Sequence, residues 1–349
     1  GRYLQWHYRS RHESLIAFSN ARYYEHKLLT FPSADDIASK VTLMPVDGYY
    51  DRSRARHNVA EANAIVAEVL HRLQQTQGRQ SLGIVTFSSV QQQLIQKLMD
   101  EAFDRHPQHE AWALQAEEPL FIKNLENVQG DERDVILFSV GYGPDKEGKV
   151  YMNFGPINRE GGWRRLNVAV SRSRYEMKVF SSLRAAHLQL ARSSGEGVAG
   201  LRAFLEYAEK GKMVLQPPAA LVWPKEAVES AIADIIEAAG YRVNAMVGAS
   251  GFKVDLAVVH PHKPGFYCLG ILLDGPRLAA MPAARDRFVG KVQVLRQLGW
   301  AIYRVWLADW WLRKNEIAAE ILAAIEQALV HADSPEPVPE TTTEPAEPP

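Results

Sequence analysis

Three groups of side chains in this sequence have types and spacings that could do chemistry. The first is Asn127-Val128-Gln129-Gly130-Asp131-Glu132-Arg133-Asp134, a polar turn leading into the apolar run Val135–Val140. A glycine ahead of carboxylates at a strand entrance lets the backbone turn tightly and aims an acid into a crevice, although such turns also serve purely structural ends. The second is Trp163-Arg164-Arg165-Leu166-Asn167-Val168-Ala169-Val170-Ser171-Arg172-Ser173-Arg174. Arg165 and Arg172 are seven positions apart, so on one helix they project along one face. Two aligned guanidiniums repel unless an anion lies between them, and phosphate suits their forked donors; a solvated basic helix paired with carboxylates is the plainer alternative. The third is a carboxylate set: Glu229, Asp255 inside the apolar stretch Phe252–Val259, and Asp274 at the end of the next apolar run. Carboxylates gathered across neighbouring strands can hold Mg²⁺ against a scissile phosphate, and acids at strand ends can equally cap backbone.

The elements that must position these groups read as two α/β blocks. In the first, helices are expected near Glu13–Tyr24, Asn58–Gln74, Ser89–Asp104, Trp163–Ser171 and Val198–Glu209. Strands are expected at Val41–Pro45, Leu82–Phe87, Leu120–Lys123, Val135–Val140 and Met177–Ser181. Short apolar runs alternating with segments of 3.6-residue period predict a parallel sheet covered by helices on both faces. The stretch Gln216-Pro217-Pro218-Ala219-Ala220 reads as a linker, and Pro224 as the start of a helix. The second block reads as helix Lys225–Ala239, strands Tyr241–Met246, Phe252–Val259 and Tyr267–Asp274, helix Ala284–Leu298, strand Ala301–Trp306 and helix Glu316–Leu329. Ser334–Pro349, with six prolines, four glutamates and no Lys or Arg, is expected to be a disordered tail.

Composition narrows the function classes. The 349 residues are 46% hydrophobic and 23% charged, an ordinary globular balance. Forty basic against 41 acidic residues give a formal charge of −1, so a polyanion site must be a local concentration of Arg rather than a basic surface. The one cysteine, Cys268, excludes an internal disulfide and a Cys-based zinc cluster and fits a reducing, cytoplasmic compartment. No 18-residue apolar run predicts a membrane span. The pairs His7/His12, His106/His109 and His260/His262 lack Cys or acidic partners at metal-ligand spacing and are expected in ordinary polar roles. Trp300, Trp306, Trp310 and Trp311 read as core and strand-edge packing.

In this order, the segments of the first block resemble the second RecA-like domain of superfamily 1 helicases, in the Dna2/Nam7-like subgroup. Leu4-Gln5-Trp6-His7-Tyr8-Arg9-Ser10-Arg11-His12-Glu13, with Tyr23-Tyr24, is similar to their motif IV region. Val128-Gln129-Gly130-Asp131-Glu132 is similar to motif V, and Arg164 to Arg174 to motif VI. The resemblance implies that Arg9 and Arg172, the latter as arginine finger, contact the γ-phosphate of ATP, with Arg165 in support. It implies that Glu132 accepts from the ribose and that Gln129 and Gly130 form a coupling turn. It also implies that Thr86, Phe87, Ser88 and Gln91 lie where a single strand's backbone is held; Phe87 could be a stacking platform or a core ring. No G-x-x-x-x-G-K-[S/T] occurs, and Asp35-Asp36 follows Pro32-Ser33 in a loop rather than an apolar strand. The chain is therefore expected to be the C-terminal portion of a longer helicase, inactive on ATP and Mg²⁺ without a first RecA-like domain.

The second block resembles small restriction-endonuclease-like domains related to very-short-patch repair endonucleases, carried by Gly248–Val259, Leu269–Gly275, Ala284–Arg287 and Leu298–Trp306. The resemblance implies a PD-(D/E)xK core in which Glu229, Asp255 and Asp274 would bind Mg²⁺. Leu272 stands where the family has a glutamate, Leu278-Ala279 where it has Tyr-His, and Arg277 and Lys291 only approximate its lysine. The expected organisation is 1–212 RecA-like, 213–224 linker, 225–331 a degenerate nuclease-like domain and 332–349 tail. The expected activity is that of an ATP-dependent helicase acting on single- or double-stranded nucleic acid, with no membrane partner. The alternatives are a metal-dependent endonuclease, or a module that only binds nucleic acid.

Overall fold

The computed structural model describes residues 10–28, 30–35, 38–190, 195–215, 227–249, 252–263, 265–274 and 291–333. Arg9, residues 216–224 of the expected linker, the first half of the helix expected at Ala284–Leu298, Arg277, Leu278-Ala279 and residues 334–349 of the expected tail lie outside them. The chain divides into two compact units, Gly1–Pro224 with Gly248–Lys253, and Lys225–Val247 with Val254–Pro349. Among the described residues, no helix is long and apolar enough to cross a membrane.

The first unit contains α1 (Ser14–Tyr23), β1 (Val41–Pro45), α2 (Val59–Thr76), β2 (Leu82–Thr86), α3 (Ser89–Arg105), α4 (Pro107–Leu114), β3 (Phe121–Asn124), β4 (Arg133–Ser139), α5 (Gly162–Ala169), β5 (Ser173–Ser181) and α6 (Glu196–Lys210). Its sheet has the order β1-β5-β4-β2-β3, and every pairing is parallel. The two-residue period of the strands sorts their side chains into two layers. Val85, Ile136, Phe138 and Val179 pack with Phe18 of α1, Leu166 of α5 and Phe204 of α6. Their neighbours Ile84, Val135, Leu137 and Phe180 face the other way, onto Ile65 and Val69 of α2 and Ile95 and Met99 of α3. Gly83 is required at the centre, because a Cβ there would meet the Phe121 ring at 2.5 Å.

One buried acid fixes the loops at the C-terminal ends of these strands. Glu61, on the first turn of α2, is fully buried. Its Oε2 accepts from the Gly141 N–H at 2.7 Å and the Ser139 hydroxyl at 3.0 Å, both at the end of β4. Its Oε1 accepts from the Ser182 N–H, just past β5, at 2.8 Å. The Asn58 side chain caps α2 by accepting from the Glu61 N–H and donates to Ser182 Oγ. Burial pushes the Glu61 carboxyl up to about 7, against the lowering effect of these donors.

The second unit contains α7 (Ala227–Ala238), β6 (Val243–Val247), β7 (Val254–Val259), β8 (Tyr267–Leu273), α8 (Lys291–Gln297), β9 (Ile302–Val305) and α9 (Leu307–Asp333). Its sheet runs β6-β7-β8-β9, antiparallel twice and then parallel. Ile232 and Ile236 of α7 and Ile317, Ile321 and Ile325 of α9 close its core at helical spacing. Gly270 leaves room for the Trp300 ring, which a Cβ would meet at 2.8 Å. The helix expected at Glu316–Leu329 extends back to Leu307 across non-helical backbone at Arg313. Trp300 and Trp310 are core, as read from sequence. Trp306, 42% exposed, follows the edge strand β9 with the Arg304 guanidinium 4.8 Å over its ring, whereas Trp311 is 74% exposed, which corrects its assignment to packing.

Two outcomes follow for stability. Gly83→Ala overpacks the Phe121 contact and should lower the opening free energy of β2 amides by about 1–3 kcal/mol in hydrogen exchange, with β7 unchanged. For Glu61, a carboxyl raised in the folded state binds its proton more tightly there than in the unfolded chain. Its contribution is therefore full below about pH 4.5 and lost as pH rises toward about 7, a decline of about 3 kcal/mol. Glu61→Gln should remove that slope while destabilising at every pH, since its NH₂ must face an N–H donor. An identical slope in wild type and variant denaturation curves would refute the assignment.

Candidate functional site

Motifs V and VI meet at the N-terminal edge of the first sheet. The backbone turns at Gly130, whose φ of +96° favours glycine, and Gln129 and Gly130 are exposed. The Arg133 N–H donates to the Arg172 carbonyl at 3.2 Å, which sets Glu132 and Arg172 side by side at the entrances of β4 and β5. Arg172 is buried to 9% exposure; its Nε donates to the Val168 carbonyl at 2.7 Å, and a terminal nitrogen lies 3.5 Å from Ser171 Oγ. This corrects the shared helix face. α5 ends at Ala169 because the chain turns into β5 at Ser173, so Arg165 projects from the helix and Arg172 from the turn after it. Arg165 is half-buried, in no ion pair among the described residues. The helix itself is braced by α1: the Tyr23 and Trp163 rings stack at 5.2 Å, and Asn167 Nδ2 donates to the Tyr24 hydroxyl at 3.1 Å.

The residue that organises this edge is one that sequence reasoning passed over. Arg174 donates to Asp134 Oδ1 and Glu118 Oε1, both at 2.9 Å, and to Ser81 Oγ at 3.0 Å, and lies 3.6 Å from Glu132 Oε1. Asp134 in turn accepts from the Ser81 N–H at 3.1 Å. One guanidinium thus ties the entrances of β2, β4 and β5 to the segment before β3, and its hydrogen bonds hold the Glu118 carboxyl below its usual range. The only signal was a charged residue opening a strand otherwise read as starting at Met177. His12, also on this side of the sequence pattern, bonds Ser14 Oγ at 2.7 Å and is pushed down to about 4 by burial, an ordinary buried histidine.

The residues matched to strand binding lie at the opposite, C-terminal edge, and most are withdrawn from it. Phe87 is 1% exposed and packs edge-on against Phe138 and Tyr142, so it is core and offers no stacking platform. Thr86 is buried, its hydroxyl donating to the Ser88 carbonyl at 2.9 Å. Gln91 is fully buried: its Oε1 accepts from the Asn58 N–H, and its Nε2 donates to the Asn58 carbonyl and to Ser139 Oγ. Their side chains position this edge rather than touch a strand. Ser88 remains partly exposed, capping α3 by accepting from the Gln91 N–H at 3.2 Å.

In the second unit the three carboxylates do not assemble. Among the described residues, no three His, Cys, Asp or Glu side chains converge as a cation site. Asp255 Oδ2 accepts from the Leu273 N–H at 2.8 Å, Asp274 Oδ1 from the Leu307 N–H at 2.6 Å, and Glu229 is buried on α7. Two of the set therefore cap backbone, and among the described residues the donors do not gather around an Mg²⁺ ion.

Comparison with known proteins agrees with this division. Residues 2–184 match the model of AAA_12, an AAA domain, and residues 228–325 match that of REase_MTES_1575. An uncharacterized ATP-dependent helicase of Mycoplasma pneumoniae, the MG140 homolog, is 27% identical over 95% of this chain. Its Mycoplasma genitalium counterpart, MG140, is 26% identical over 92%. The chain spans about 30% of the length of these curated relatives. The solved C-terminal domain of a possible DNA helicase from Lactobacillus plantarum is 14% identical with a TM-score of 0.28, over 50% of this chain and 86% of that one. The all-parallel helix-covered sheet and the family match lead to one conclusion: the chain belongs to the AAA_12 family, the superfamily 1 helicase type of AAA domain, and carries a restriction-endonuclease-like unit after it in sequence.

Proposed function

We propose that this chain is the C-terminal part of an ATP-dependent helicase, supplying one wall of a nucleotide cleft whose other wall is a first RecA-like domain. The observation that carries this is the bond between the Arg133 N–H and the Arg172 carbonyl, which sets the motif V acid beside the motif VI arginine on an edge held by Arg174. Arg172, fixed from behind by Val168, is the arginine finger that neutralises charge on a transferring phosphoryl group, supported by Arg165 and by Arg9. Glu132 accepts from the ribose, and Gln129 and Gly130 relay nucleotide state along β4. The triphosphate and its Mg²⁺ are cradled by the partner domain, for which this chain carries no Walker A sequence. The opposite edge, around Ser88, takes the nucleic-acid strand.

A second reading, a metal-dependent endonuclease, is favoured by the family match over residues 228–325. The backbone bonds to Asp255 and Asp274 weigh against it, and we read the second unit as a non-cleaving binding module.

Expressed from its whole reading frame, the protein should hydrolyse ATP in a nucleic-acid-stimulated manner, and Arg172→Ala should lower kcat by about 10³–10⁵-fold. Arg172→Lys should recover only part, because an ammonium lacks the forked donors; a kcat within tenfold of wild type for Arg172→Ala would sink the finger assignment. Incubated with single- or double-stranded DNA and Mg²⁺ or Mn²⁺, the chain should leave both intact. Cleavage that disappears in Asp255→Ala would establish the endonuclease instead.

A further inference from the structure

The loops after β1 and β4 enclose a cavity of about 920 Å³ at the C-terminal edge of the first sheet. Both strands neighbour β5, so their loops flank its end, and the Tyr50 N–H joins them by donating to the Pro144 carbonyl at 2.8 Å. The lining is unusual in kind. It combines Tyr49 and Tyr151 with Arg52, Arg54, Arg56 and Lys146. The Arg52 guanidinium lies 4.0 Å over the Tyr151 ring, and Lys146 lies 5.1 Å over the Tyr49 ring, which is 47% exposed.

The acids on the same loops hydrogen-bond their own turns rather than pair with these cations, and the lining keeps one more cation than carboxylate. Asp51 Oδ1 accepts from the Arg54 N–H at 3.2 Å and the Ser53 hydroxyl at 3.3 Å. Asp145 Oδ1 accepts from the N–H groups of Glu147 and Lys149, at 3.1 and 2.9 Å. Both carboxylates thus shape the turns of their own loops, while Glu147 stands exposed on the rim. Among the described residues, Arg52, Arg54, Arg56 and Lys146 are in no ion pair. An exposed ring, Tyr49, and a half-buried one, Tyr151, which also has Lys149 at 5.0 Å, stand among four cations against three carboxylates, and this combination fits a ligand that is at once aromatic and anionic. A second cavity of about 350 Å³ shares Tyr50, Arg56 and Tyr142 with the first and reaches Ser88 and Asn124 at the ends of β2 and β3. The two together follow the whole edge from β1 to β3, about 19 Å at ordinary strand spacing, which suits a polymer better than a single nucleotide.

We propose that this cavity is a base-stacking station for single-stranded nucleic acid. One base extends the Tyr151–Arg52 stack, a second lies on Tyr49, and Arg54, Arg56 and Lys146 take the intervening phosphates. The inference rests on the helicase reading above and adds to it the residues that grip the strand, none of which is among those matched to the family's motifs.

Fluorescence anisotropy of the intact chain with a labelled oligothymidylate of ~12 nucleotides tests it. Tyr49→Ala and Tyr151→Ala should each weaken binding about 5- to 150-fold, while the Phe variants, which keep the ring, should bind as wild type. Arg54→Ala and Lys146→Ala should each make the plot of log affinity against log salt shallower by about 0.7. Tyr49, Arg54 and Lys146 are exposed and Tyr151 is half-buried, and matching thermal melts confirm that each variant folds. Wild-type affinity in both alanine variants overturns the station and leaves the helicase reading standing; no binding by the unaltered chain overturns both. Thymidine monophosphate binding as tightly as the oligomer would assign the cavity to free nucleotide and overturn the strand proposal.

Discussion

The Glu61 carboxyl is the constraint on which the C-terminal edge of the first sheet depends. A parallel sheet delivers its loops to one end but does nothing to fix their relative heights. Here a single acid on α2 takes hydrogen bonds from the ends of β4 and β5, so the loops that follow both strands start from fixed points. Burying a carboxyl is unfavourable unless its lone pairs are met, and the donors that meet them are the groups needing anchorage. The tyrosine- and arginine-lined loops after β1 and β4 begin within a few residues of this node, at Val46 and Gly141.

The other edge uses the opposite charge for the same end. Arg174 is surrounded by Glu118, Glu132 and Asp134, and through Ser81 reaches the entrance of β2. The sheet is thus pinned at one end by a buried carboxyl among neutral donors and at the other by a cation among acids. In the proposed helicase the two ends face different ligands, triphosphate and strand, and five parallel strands form the rigid body between them. A displacement imposed at Arg172 has no slack within β5 in which to dissipate, since that strand is hydrogen-bonded on both sides.

Much of the scaffold was legible because burial writes itself into apolar runs. β1 matches its expected span residue for residue, and β2, β3 and β4 fall within a residue or two of theirs at each end. What escaped was structure held by polar groups. β5 begins at Ser173 rather than Met177 because its first residues are held by Arg174 and its acids, not by a core. α4 was missed because only Ala113 of its eight residues is buried. Motif resemblance put Thr86, Phe87 and Gln91 at one end of the sheet, and the structure has them at its C-terminal edge, yet a sequence cannot say which side chains turn inward. Glu61 and Arg174 were invisible for the same reason: a lone acid in a helix and an arginine in a basic run look like solvated charges until their partners are brought to them.

Gln91 shows how fine that fit is. Its amide both receives from and donates to the backbone of Asn58, so it behaves as a surrogate peptide unit, a rung laid between a helix and a loop 33 residues away. A rung of this kind reads the difference between one oxygen and one nitrogen. Glutamate in its place would present two acceptors to the Asn58 carbonyl and lie one hydroxyl, that of Ser139, from a second carboxyl group, forcing the two acids to share a proton. This edge already carries one titrating acid in Glu61, and the neutral amide keeps a second from being coupled to it.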